Sequence, residues 1–119
     1  MQRVIEILSV DGSEDEVLKR AASVNYLADF AVAEALIVEA KRRGLSPLPA
    51  SKFESIPGKG AKALIDGMEV QVGSPKLLVE ERIAVPVSFA DKITAHAKEG
   101  KVVVAVISGR SLTGAIVLS

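Results

Sequence analysis

The unbroken apolar run Val102-Val103-Val104-Ala105-Val106-Ile107 constrains this chain most. All but Ala105 are β-branched, and Gly100-Lys101 and Ser108-Gly109 bound the run, so it reads as a strand. With no polar residue to turn toward water on either face, it must be a central strand. It is far short of the roughly 20 apolar residues that cross a bilayer, and no other stretch is longer, so no direct membrane contact is expected. A chain of 119 residues is the size of one domain, able to bury roughly two-thirds of its unfolded surface. Residues 1–119 therefore read as a single domain. Tyr26, Phe30, Phe53 and Phe89 are its only Phe or Tyr residues and Trp is absent, which leaves Val, Ile, Leu and Ala to build the core.

Charge and cysteine usage exclude several classes of function. Fifteen basic residues balance fifteen acidic ones, so there is no field to draw nucleic acid or an anionic membrane, and no nucleic-acid partner is expected. With no Cys and one His, a disulfide framework, a zinc finger and most transition-metal sites are ruled out. The first residues, Met1-Gln2-Arg3-Val4-Ile5-Glu6, lack the apolar core of a signal peptide, and the expected location is cytoplasmic.

Local signals divide the chain into alternating blocks. Val4 to Val10 reads as a strand stopping at Asp11-Gly12. Ser13 and Glu16 fit a capping box for a first helix whose apolar stripe is Val17, Leu18, Ala21 and Ala22. A second helix spans about Ala28 to Arg43, with Phe30, Ala33, Leu36, Ile37 and Ala40 on its apolar face and Lys41-Arg42-Arg43-Gly44 at its end. Pro47 and Pro49 make an extended connection. Strands follow at Phe53 to Ile56, Ala61 to Ile65 and Met68 to Val72, the last two joined by Asp66-Gly67, a type I′ hairpin signal. Ser74-Pro75 opens a short helix to about Glu81. Ser88 caps another, Phe89 to Glu99, and Lys101 to Ser108 and Ser111 to Leu118 close the chain as a hairpin. The implied fold class is α+β, an antiparallel sheet of about six strands flanked by two helical hairpins.

Few residues offer chemistry. There is no Cys nucleophile, His-Glu-x-x-His or Gly-x-Ser-x-Gly, so no catalytic residue is expected. His96, between Ala95 and Ala97, reads as a solvated surface histidine. Glu14-Asp15-Glu16 sits at a helix start, where the macrodipole favours negative charge. The informative segment is Ile56-Pro57-Gly58-Lys59-Gly60, where two glycines one residue apart enter a strand. They permit either a tight turn or the close approach of a ligand.

In order and spacing, these segments resemble the nucleotide-binding domain of heavy-metal-transporting P-type ATPases over nearly the whole chain. Ser13 to Ser23 resembles the segment after that family's phosphorylation motif, and Ala33-Glu34-Ala35-Leu36-Ile37 the helix after its Ser-Glu-His-Pro signature. Gly58-Lys59-Gly60 resembles its Gly-x-Gly, Val72-Gly73-Ser74 its Val-Gly-Asn, and Gly109 to Gly114 its return strand. The resemblance implies that ATP or ADP lies in an apolar cleft beside the sheet, with Asn25, Phe30, Gly58, Lys59, Gly60, Gly73 and Ser74 at the nucleotide and magnesium not bound by this domain alone. Phe30 stands where the family has His and Ala31 where it has Pro, Asn25 replaces a ligand-contacting Glu, and Ser74 replaces the Asn. Phe30 is then either a core residue or an adenine-stacking one. The altered contacts imply weakened ATP affinity.

The implied partners are the phosphorylation and actuator domains of one parent chain, a cytoplasmic piece of a membrane-embedded copper- or zinc-class cation pump. The phosphorylated Asp is missing from these residues, so the piece alone should not turn over ATP. Two other readings remain at this point. One is a degenerate regulatory or interaction module without nucleotide binding, and the other is the equivalent domain of a potassium-transporting P-type ATPase.

Overall fold

The computed structural model describes residues 2–26 and 31–119. Its elements are β1 (Val4–Ser9), α1 (Glu14–Asn25), α2 (Ala31–Arg42), β2 (Ala50–Ile56), β3 (Gly60–Ile65), β4 (Met68–Gly73), α3 (Lys76–Glu80), α4 (Val87–Lys98), β5 (Val102–Ser108) and β6 (Ser111–Leu118). The strands form one six-stranded sheet in the order β1-β6-β5-β4-β3-β2, antiparallel at every pairing. Among the described residues, no helix is long and apolar enough to cross a membrane.

The apolar run becomes β5, with β4 and β6 as neighbours. Strand alternation sends Val104 and Val106 into the cluster under α1 and α2, which also holds Val17, Leu18, Ala21, Leu36, Ala61, Val72 and Ile116. Val103, Ala105 and Ile107 enter a second cluster with Leu77 and Leu78 of α3 and Phe89 and Ile93 of α4. The sheet thus divides the interior in two, with a helical layer on each face.

Helix ends follow their local chemistry, with two differences from expectation. Ser13 caps α1 by accepting from the Glu16 N–H at 3.3 Å. The Glu16 carboxylate, however, accepts from Arg20 Nε at 2.8 Å, so the capping box is one-sided. A charged neighbour one turn along the helix outcompetes a neutral backbone donor. The second difference is at α4, which begins at Val87 and carries no side-chain cap. The Pro86 carbonyl accepts from the Ala90 N–H at 2.9 Å, and this starts the helix two residues before Phe89 and leaves Ser88 inside it.

Strand β2 begins at Ala50, three residues earlier than its sequence suggests. Lys52 has φ +53, and the register with β3 shifts between Ser51 and Glu54. A bulge of this kind breaks the period-2 alternation by which a strand is recognised. The Asp66-Gly67 turn has positive φ at both residues, as type I′ geometry requires.

The α1–α2 pair is tied at its outer end by charge. Arg43 Nη1 lies 3.1 Å from Asp15 and Arg43 Nε 2.9 Å from Glu39, while Arg42 Nη2 is 2.6 Å from Glu39. Hydrogen bonding from Arg42, with that from Arg43, outweighs the opposing effect of burial and lowers the Glu39 pKa from 4.5 to about 2. A carboxyl whose folded pKa lies below its unfolded one contributes stability above the unfolded value, and loses it as pH falls toward the folded value. Glu39→Gln should therefore lower the melting temperature at pH 7. In melts taken from pH 7 downward, the gap to wild type should hold until about pH 4.5 and close progressively as pH 2 is approached.

Candidate functional site

A cleft of about 500 Å³ opens on the α1–α2 face of the sheet. Its floor is the end of β4 and the start of β3 and β5, represented by Gly73, Gly60 and Val102 to Val104. Ser55 and Ile56 at the end of β2 form one side, and Asn25 and Val32, at the facing ends of α1 and α2, form the other. The volume falls in the range of small-molecule sites, which are mostly apolar with a few polar groups.

The cleft gathers six of the residues singled out from sequence: Asn25, Gly58, Lys59, Gly60, Gly73 and Ser74. Phe30 lies outside the described residues. Sequence reasoning missed Val32, Ser55, Ile56, Val72, Val102 and Val104. For Val102 and Val104 a signal existed, because alternation puts both on the same face of β5, but nothing local said which face holds a cleft.

The glycines have a backbone reason to be here. Gly60 and Gly73 are direct partners across the β3–β4 ladder. A Cβ on Gly60 would overlap the Val72 carbonyl oxygen and lie 2.6 Å from Gly73 Cα, and one on Gly73 would overlap the Lys59 carbonyl and lie 2.9 Å from Gly60 Cα. Gly60 also has φ +155. A side chain at Gly60 therefore meets backbone rather than open ligand space. Gly58 differs, since a Cβ there meets nothing within 4 Å, but its φ is +73. With Pro57 before it and the Lys59 N–H donating to the Ile56 carbonyl at 2.9 Å, it occupies the position of a type II turn that calls for glycine.

The polar groups are few and largely engaged. Asn25 is 2% exposed, and its Nδ2 donates to the Ala21 carbonyl at 2.8 Å. The Ser74 N–H donates to the Lys59 carbonyl at 2.7 Å, and Ser74 Oγ accepts from the Lys76 N–H at 3.2 Å, although Pro75 rather than Ser74 occupies the cap position of α3. Lys59 Nζ lies 2.6 Å from Glu80 Oε1 on α3. The described residues contain no group of three or more His, Cys, Asp or Glu placed to hold a metal ion.

His96 is not solvated. Its side chain is 15% exposed, with Nε2 3.3 Å from Glu6 Oε1 on β1 and Nδ1 3.7 Å from Glu99 Oε1. Ala95 and Ala97 gave no hint of this, because the partner Glu6 comes from a distant strand. His96 does not line the cleft.

The chain is similar to the crystal structure of the N-domain of HMA8, a copper-transporting P-type ATPase, at 31% identity and a TM-score of 0.81, covering 98% of this chain and 99% of that one. A zinc-transporting PIB-type ATPase in its E2.Pi state gives 28% identity and a TM-score of 0.85 over 99% of this chain and 19% of that one. The copper-exporting P-type ATPase B of Archaeoglobus fulgidus is 29% identical over 116 residues, 98% of this chain. The chain spans 16% of the length of that relative. No family model matches.

Gly60→Ala should be destabilised by at least about 1–3 kcal/mol, the usual cost of strained backbone, and the added overlap with Val72 raises it. Gly58→Ala, strained but unobstructed, should cost only about 1–2 kcal/mol. Urea unfolding of the two variants beside the parent checks the order. Equal stability of Gly60→Ala and the parent would remove the backbone explanation.

Proposed function

Because this chain belongs to the N-domain family of copper- and zinc-transporting P-type ATPases, we propose that its cleft holds the adenosine part of ATP or ADP and presents the phosphates outward. The lining carries this reading. Val32, Ile56, Val72, Val102 and Val104 offer an apolar slot for a purine, and the glycine ladder keeps the floor flat. Asn25, whose amide carbonyl and spare N–H can pair with a base edge or a ribose hydroxyl, supplies the polar contact on the helix side. These residues fit the nucleoside. Only one charged side chain, Lys59, lines the cleft among the described residues, so little holds the phosphates back.

That division suits a positioning role. Phosphoryl transfer depends on placing the γ-phosphate in line with its acceptor and stabilising the charge. In this proposal residues 1–119 contribute the placement as one nucleotide-holding domain of a longer cytoplasmic segment. The acceptor Asp and the groups that hold Mg²⁺ belong to phosphorylation and actuator domains of the same parent chain. ATP hydrolysis and copper- or zinc-class cation transport are the proposed activities of that whole protein. The length of the relatives supports this, since 98% of the chain corresponds to 16% of one and 60% of it to 9% of another.

Affinity should be modest, with a dissociation constant on the order of 1 mM, because the apolar slot has few polar anchors. An ATP titration to several times that concentration, followed by backbone amide NMR, should move Gly58, Gly60, Gly73, Ser74 and Val104. The amides of the Asp66-Gly67 turn, at the other end of β3 and β4, should stay still. Adenosine should move the same set, and binding should persist without Mg²⁺. Absence of any shift would overturn the nucleotide reading and leave an interaction module of this fold.

A further inference from the structure

We propose that Glu80 competes with the nucleotide's phosphates for Lys59, so that this one acidic side chain sets how strongly the site prefers ATP to adenosine. The inference rests on the nucleotide reading of the cleft. Lys59 is the single charged residue lining it among the described residues, and its ammonium is already matched by Glu80 Oε1 at 2.6 Å. Glu80 itself lies off the cleft. It lines a second cavity of about 260 Å³, shared with Glu54, Glu81 and Lys62 and bounded by Ser55 to Pro57. Lys59 thus stands between a neutral cleft and an acidic cavity, and in this structure its charge is given to the acidic side.

Two backbone donors beside Lys59 do not make up the difference. The Lys59 N–H is closed on the Ile56 carbonyl, and the Ser74 N–H on the Lys59 carbonyl. Both donors are spent within the protein. They also anchor the Lys59 backbone, so the long flexible side chain can swing from Glu80 toward the cleft without moving the turn. Both partners of the pair are more than a third exposed, and an exposed ion pair is weak enough for a multiply charged phosphate to displace.

The test is calorimetric titration of ATP and adenosine into the whole chain, comparing the parent with Glu80→Gln, Lys59→Met and the double variant. Glu80→Gln should raise the ratio of ATP to adenosine affinity about two- to fivefold at low salt, the range an exposed pair commands. Added salt should shrink the gain. Lys59→Met should lower the ratio, and in that background Glu80→Gln should change nothing. A ratio that Glu80→Gln leaves unmoved, or moves equally when Lys59 is absent, overturns the inference while the nucleotide reading stands. If the parent binds neither ATP nor adenosine, the nucleotide reading fails, and this inference with it.

Discussion

The structure depends on β5 being buried on both faces. A strand with no side to spare for solvent must be roofed twice, and the alternation of its side chains decides what each roof contains. On one face Val103, Ala105 and Ile107 are covered by Leu77, Leu78, Phe89 and Ile93. On the other, Val104 and Val106 lie beneath α1 and α2. At the first residues of β5 the described part of that second roof ends, where Asn25 closes one helix and Val32 stands near the start of the next. The cleft lies at this end of the face, so the apolar character that builds the core also supplies its walls.

Backbone rather than side chains shapes the floor. Gly60 and Gly73 allow β3 and β4 to approach where any Cβ would collide with main chain. Glycine in such a place is ambiguous in a sequence, because a strand crossing and a ligand cradle ask for the same missing atom. Here the close approach of the two strands alone requires it, and the nucleotide proposed for the cleft would meet a surface that the ladder already had to leave bare.

Much of this was legible because it is written locally. Asp66-Gly67 specified its turn, Ser74-Pro75 its helix start, and Val102 to Ile107 its central place, since each depends on neighbours within a few residues. What escaped depends on distance. The bulge at Lys52 hid the first half of β2 by breaking the alternation, and Pro86 displaced Ser88 as the start of α4 because a carbonyl is enough to begin a helix. His96 was misjudged because Glu6 is far away in the chain, and the pairing of Lys59 was not foreseen because Glu80 lies on α3, distant in sequence. Within the cleft, the glycine signal was found and the valines were not, since a valine lining a cavity looks like a valine filling a core.

One wall of the cleft, at Ser55 and Ile56, belongs to β2, which lies at the edge of the sheet and is hydrogen-bonded on one side only. Edge strands open locally at lower free energy than the strands they border. The width of the cleft is therefore coupled to the fraying of its least secured strand. Whatever occupies the cleft must stabilise the closed form of β2 by mass action. Occupancy is then recorded as slower amide hydrogen exchange along β2, with the slowing diminishing across β3 and β4 toward β5, where protection is already set by the global stability of the sheet.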